Sequence, residues 1–365
     1  MPNKIVHPGI LLDNMLNERN LSQRDLASRI DVAHSLLNNI LKGNRNINVH
    51  IAIALESAGF KDANFWLTEQ MKFNLYQAQN DKDVIKKTKS IKEWNDIEEG
   101  GIVPLPFFKK QNIGINTSDD LNKIFEIYDV SDYSSLKKRV NEFNPTYFRK
   151  SSKFSENKNN VIAWSLMAKY KAKQENVPSF KRSNERLLLK ELKKCFYENE
   201  NVINETKKIL NKYGIIFFTL NRPPQTPADG KSFISENNPT IVLSLKYKRL
   251  DNFAFTLFHE LGHVFEHLTH PDRPELKNEE FFINSSNTEI VEFEANNYAR
   301  NNLIEQNTWS DFITLNEEFN DDIILEFSKK HKIHPGIVRG RVCYEYNEYY
   351  RKRSTITEMN KLEEN

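Results

Sequence analysis

Residues 253–265 read FAFTLFHELGHVF, and no other stretch restricts the fold of this chain so tightly. Phe255, Phe258, Leu261 and Val264 recur around a helix and demand apolar neighbours, yet His259, Glu260 and His263 lie among them. Two imidazoles and a carboxyl in such surroundings cost free energy unless something satisfies them. The fold must close a core around this helix and bring partners to its polar groups. Residues four apart stand above one another at ~6 Å along the axis, so His259 and His263 can converge on one ion. Glu260 then stands beside that point, placed to take a proton from water and deliver it to a leaving amine.

A catalytic zinc site takes three protein ligands and keeps one position open. Where the third ligand is another histidine of the extended motif, Gly falls at 266 and His at 269. Here Glu266 and Thr269 occupy those places, which excludes that arrangement. His267 is ~12 Å from His259 along a straight helix and does not replace it. A later segment, TEIVEFEANNYAR, offers Glu289, Glu292 and Glu294. Glu292 is the choice: it shares a helical stripe with Ala295, Asn296 and Ala299, and small residues let two helices approach until a carboxylate reaches the ion. Asn296, one turn on, can orient a ligand. Glu294 leaves that stripe and is expected to face water, so that its loss leaves the metal untouched. Tyr298 and His334 are the candidate donors to a developing oxyanion. The strand IVLSL, residues 241–245, is expected to offer an edge to an extended substrate.

The first 75 residues follow a different plan. Ile10, Leu11, Met15 and Leu16, then Leu26 and Ile30, then Leu36, Leu37, Ile40 and Leu41 recur at helical spacing. Ser22 caps a helix from Gln23 to Ile30, Asp31-Val32 turns the chain, and a second helix runs from about Ala33 to Leu41 until Gly43 ends it. Two short helices across a tight turn form the helix-turn-helix pattern. The second helix would present His34, Ser35, Leu36 and Asn39 to base edges, while Ser22, Gln23, Lys42, Asn44 and Arg45 hold phosphates. A protein-interaction bundle is the rival reading, since the net charge there is only +1, against +6 for 76–200 and −5 for 201–365.

Between these parts, 76–100 is polar and lysine-rich and GGIVPLP interrupts any helix, so a connecting hinge is expected. Helical spacing fills 118–213, with YFRKSSKFSENK as a loop; IIFFTL and IVLSL then read as strands, and helices return from Asp251 to Leu268, from about Thr288 to Ile304, and twice more before the tail. HPGI occurs at both 7–10 and 334–337, too short to make a repeat. No run of 18 apolar residues exists and the start lacks a secretory signal, so the expected location is the cytoplasm, without membrane contact. Cys195 and Cys343 stand apart with no CxxC pairing, which excludes a disulfide scaffold and a thiolate zinc site.

Residues 5–77, with HPGILLDNML, LSQRDLASRIDV, ILKGNRNI and FWLTEQMKFNLYQAQ, resemble the HigA-type antitoxins of the Xre helix-turn-helix superfamily. That pattern usually opens its recognition helix with Ser or Thr, where this chain has Ala33. Residues from about 160 to 345, with DGKSF, IVLSLKYKRLDNFAFTLFHELGHVFEHL, EFEANNYARNNLI and KKHKIHPGIVRGRV, resemble the ImmA/IrrE metallo-endopeptidases. This second resemblance implies a thermolysin-like zinc site with His259, His263 and Glu292 as ligands and Glu260 as acid/base, and a substrate of the Xre repressor class. The usual Leu-Leu-Met-Pro ending of the ligand helix is here Asn-Leu-Ile-Glu.

The expectation is a mainly α, α+β chain: a helix-turn-helix domain at 1–78, a helical connector at 79–159, a gluzincin-type peptidase domain with a small sheet at 160–350, and a polar tail at 351–365. Its expected function is that of a DNA-binding regulator or antitoxin carrying a zinc endopeptidase, with Mn²⁺ as the alternative ion, which cleaves a repressor or antitoxin-like protein. The alternative is a non-hydrolysing antitoxin and autorepressor that binds a toxin and its operator. A homodimer is expected from the paired half-sites such repressors use.

Overall fold

A computed structural model of the protein describes residues 5–142, 157–282 and 289–362. The chain divides into two compact units, 1–95 and 96–365. No helix among the described residues is long and apolar enough to cross a membrane.

The first unit is a bundle of α1 (Pro8–Glu18), α2 (Gln23–Arg29), α3 (His34–Leu41), α4 (Val49–Ser57) and α5 (Ala63–Asn80). Leu12, Leu16, Leu26, Leu37, Ile40, Leu55 and Trp66 meet in one core. Ser22 caps α2 by accepting the Asp25 N–H at 3.2 Å, whereas Ala33 opens α3 with no side-chain cap. The turn after α3 is held from below by buried Gln70, whose Oε1 accepts the Ile47 N–H at 2.8 Å and whose amide donates to Asn46 and Asn74. α6 (Lys82–Gly100) follows, so most of the expected hinge at 76–100 is helix. Lysine and glutamate are good helix formers on an exposed face, and the helices are interrupted at Asp81, between α5 and α6, and at the Gly100-Gly101 pair.

In the second unit α7 (Leu105–Lys110), α8 (Ser118–Tyr128), α9 (Tyr133–Glu142), α10 (Lys158–Ala172), α11 (Glu185–Glu198) and α12 (Val202–Lys212) precede a small sheet. The expected loop falls mostly outside the described residues, at 147–156. The strands are β1 (Ile216–Thr219), β2 (Gly230–Ser235), β3 (Asn238–Leu243) and β4 (Phe281–Phe282), ordered β1-β3-β2-β4. β1 is parallel to β3, and β2 is antiparallel to both β3 and β4. The IVLSL strand is therefore interior. The edge expected there is already paired, because the DGKSF segment, polar by sequence, forms β2 beside it.

α13 (Leu250–Gly262) continues into a π-helical turn, His263–Leu268, and α14 (Glu289–Leu303) packs along it. Gly262 permits the approach: a Cβ there would lie 2.9 Å from Ala295 Cα and 3.1 Å from Tyr298 Cβ. α15 (Gln306–Leu315), α16 (Asp321–His331), α17 (Pro335–Glu345) and α18 (Ile356–Met359) complete the unit. Three helices therefore stand where two were expected ahead of the tail. The polar tail expected at 351–365 is packed in its described part, since Ile356 and Leu362 are buried and Asn360 accepts the Leu250 and Asp251 N–H groups. The twice-occurring HPGI is one local device used twice. His7 and His334 have φ −60° with ψ 134° and 133°, and each Nδ1 accepts the N–H of the glycine two residues on, at 3.0 and 3.1 Å.

Candidate functional site

α13, the π-helical turn that continues it and α14 bring His259, His263 and Glu292 together. The two Nε2 atoms are 3.0 Å apart, and each lies 3.5 Å from a different oxygen of Glu292. A tetrahedral site with ligand distances of ~2.0–2.1 Å has ligand-to-ligand edges of roughly 3.3 Å, so these three atoms are spaced as a divalent ion needs them. Glu292 Oε1, although buried, has no hydrogen-bond partner among the described residues, an environment that would fit a cation. Burial opposes ionisation of Glu292, but the two imidazoles outweigh it and hold its pKa at about 2. Burial likewise keeps His263 neutral, with its pKa at about 3. A carboxylate and a neutral imidazole are the forms that ligate metals.

The three side chains are themselves held. Asn296 Oδ1 lies 3.1 Å from His259 Nδ1, the place expected of it. The Phe281 ring stacks on His263 at 4.5 Å and 6°. On the other side His263 Nδ1 lies 3.1 Å from His267 Nδ1, and His267 Nε2 lies 2.9 Å from Glu294 Oε2. Glu294 was expected on a solvated face and is instead paired with Arg273 through two bonds, of 2.6 and 2.9 Å. The π-helical turn and the segment after it bring His267 and Arg273 to that side of α14. The four-residue step from His263 to His267 was the available sequence signal.

Glu260 is fully buried. The Ser232 hydroxyl donates to its Oε2, and a Cβ at Gly230 would lie 2.3 Å from its Oε1, so β2 presses directly on the carboxyl. Burial pushes its pKa well above the usual carboxyl range, against the hydrogen bond from Ser232. Behind it Lys231, also fully buried, donates to Ser165 at 2.5 Å and to Glu280 at 2.7 Å, and Lys169 shares Glu280. Sequence reasoning assigned no role to Gly230, Lys231, Ser232 or Glu280.

The two candidate oxyanion donors are engaged elsewhere. Tyr298 donates to Glu185 at 2.8 Å and stacks on Phe265. His334 caps α17 and lines a cavity of about 600 Å³ with Lys193, Lys332 and Tyr197. In the first unit Ser22, His34, Ser35, Asn39, Lys42 and Arg45 are exposed, as contact with a nucleic acid requires. Asn39 gives one amide hydrogen to the Ser35 carbonyl at 3.0 Å. Gln23 is half-buried and donates to Asp13 at 3.3 Å, so its amide is already committed within the bundle.

Residues 12–64 match the family described as Helix-turn-helix. Over 81 residues the chain is 35% identical to Virulence-associated protein I of Dichelobacter nodosus, which is 22% of this chain and 75% of that protein. Over 72 residues it is 33% identical to Virulence-associated protein A' of the same organism, covering 20% and 63%. A solved structure from Nostoc punctiforme, described as an antidote protein of a plasmid maintenance system, is 28% identical over 21% of this chain and 84% of its own, with a TM-score of 0.20.

The Lys231–Glu280 pair gives a prediction with a definite sign. The two lysines outweigh burial and hold Glu280 at about 2, below its ordinary 4.5. Its stabilising contribution is therefore complete above pH 4.5 and is lost as pH falls toward 2. Glu280→Gln should cost on the order of 3 kcal/mol near neutrality, because it leaves a buried ammonium without its carboxylate. In urea unfolding, the gap between parent and variant should close as the pH is lowered from 4.5 toward 2. A gap that stays constant would show that the pair does not carry this stability.

Proposed function

We propose that this chain, which belongs to the Xre-type helix-turn-helix family through residues 12–64, is a DNA-binding regulator whose second unit is a metal-dependent endopeptidase acting on a repressor or antitoxin-like protein. The observation that carries the peptidase reading is the convergence of His259, His263 and Glu292 with Glu260 beside them. Bound there, zinc or manganese would supply Lewis acidity that polarises a peptide carbonyl and lowers the pKa of water. His259, His263 and Glu292 hold the ion, while Asn296 fixes the first of these imidazoles. Glu260 takes the proton from the attacking water and returns it to the departing amine. Lys231, buried on β2, favours the ionised form of Glu260 that the first of these transfers requires.

A second reading has its own support. Glu260 lies under Gly230 and Ser232, and structural metal sites are closed where catalytic ones stay open. On that reading the chain is a non-hydrolysing antitoxin and autorepressor, binding a toxin and operator DNA as a dimer, with the ion serving stability alone.

Metal content and peptide cleavage separate the two. His263→Ala and Glu292→Ala should each lower bound zinc at least tenfold. Glu260→Gln should keep about one ion per chain and lose cleavage of a proteome-derived peptide library followed by mass spectrometry. If Glu260→Gln cleaves as the parent does, the hydrolytic reading fails. If the zinc-loaded parent cleaves nothing in the library, in the presence of its partner regulator as well, the second reading takes its place.

For the first unit, Arg45→Ala in the full chain should weaken binding to its own upstream DNA uniformly and reduce the salt slope by about 1, whereas Asn39→Ala should cost ~1–3 kcal/mol at one base position. Binding that is indifferent to salt in the parent would assign this unit to protein contact.

A further inference from the structure

A chain of hydrogen bonds leads from a surface arginine to one of the metal-ligating histidines, and its direction follows from which groups can donate. Arg273 has only donors; two of its bonds run to the Glu294 carboxylate, and a third, at 3.5 Å, to the Glu266 carbonyl. An ionised carboxylate has only acceptors, so the hydrogen between Glu294 and His267 belongs to His267 Nε2. A neutral imidazole carries one hydrogen, which leaves His267 Nδ1 as a lone pair. That lone pair lies 3.1 Å from His263 Nδ1, so His263 must supply the hydrogen there. Its Nε2, on the opposite side of the ring, is then a lone pair pointing toward His259 Nε2 and Glu292.

We infer that Arg273, Glu294 and His267 are positioning residues that fix His263 in its metal-binding tautomer. The inference rests on the reading of His259, His263 and Glu292 as a metal centre. His259 reaches the same state by a shorter route, since the Asn296 Oδ1 atom accepts from its Nδ1 directly. His263 is fully buried against the Phe281 ring, and the partner of its Nδ1 is another imidazole, that of His267. An imidazole alone does not define the direction of the shared hydrogen, because either ring can donate. The carboxylate at the far end defines it, and the two-bond arginine keeps that carboxylate ionised and in place.

The test is competition titration of Co²⁺ into the intact chain against a chelator, read by affinity and by the visible ligand-field spectrum. His267→Phe leaves the His263 N–H without an acceptor and should weaken Co²⁺ binding about 10- to 100-fold with a changed spectrum. His267→Asn offers an amide oxygen near the lost Nδ1 and should restore affinity to within a few-fold of the parent. Glu294→Ala should weaken binding about tenfold, since the shared hydrogen loses its direction. Should His267→Phe fail to fold, Glu294→Ala and His267→Asn decide the matter. Parent-like affinity in Glu294→Ala, or loss in His267→Asn as deep as in His267→Phe, overturns the inference. His263→Ala is the control for the metal centre itself: if it binds Co²⁺ as tightly as the parent, the underlying reading has failed rather than the positioning chain.

Discussion

Imidazole and carboxyl groups inside an apolar helix are tolerable only with partners, and the second unit is organised around supplying them. α13 is buried along nearly its whole length. The polar side chains of its last turn and of the π turn that continues it meet different elements: His259 meets Asn296 and Glu292 of α14, His263 meets Phe281 of β4 and His267 one turn on, and Glu260 meets Ser232 of β2. Helix, strand and turn are each fixed against α13 by a polar contact as well as by apolar packing. That requirement accounts for the close α13–α14 approach at Gly262 and for a glycine at 230, where any side chain would collide with Glu260.

The parts legible in the sequence were those in which a local pattern and a chemical need coincide. The apolar helix with HELGH, the Glu292-Ala295-Ala299 stripe and the Ser22 cap each state their geometry within one or two turns. The parts missed depend on neighbours distant in the chain. Glu294 looked solvated because nothing near it in sequence announces Arg273, 21 residues earlier, or the π turn that directs His267 toward it. IVLSL was recognisable as a strand, but its interior place in the sheet depends on β2, whose Gly230, Lys231 and Ser232 carry no apolar run. Lys231 was missed for a similar reason: a lysine is almost never fully buried unless paired, and its partner Glu280 lies 49 residues on. The helical course of α6 was masked by reading its lysines as linker, although lysine is a good helix former.

The two units apply different physics to recognition. The first offers exposed polar side chains on α3 and the turn after it, with little net charge, so its affinity for DNA depends on a few placed contacts rather than on a broad field. The second draws its polar groups inward, where low dielectric strengthens every pairing and makes an unpaired atom costly. The unpartnered Glu292 Oε1 and the facing Nε2 atoms of His259 and His263 are the places where, on the proposed reading, a divalent cation completes that second scheme.

The central claim is that two imidazoles and one carboxylate of this chain hold a divalent ion. X-ray absorption at the zinc K edge, on the intact chain loaded with one equivalent of Zn²⁺, reports that ligand set directly. The account predicts nitrogen and oxygen scatterers alone at ~2.0–2.1 Å, with the outer-shell signature of two imidazoles. Sulfur at ~2.3 Å, a third imidazole, or a hydrated ion with no imidazole would contradict it.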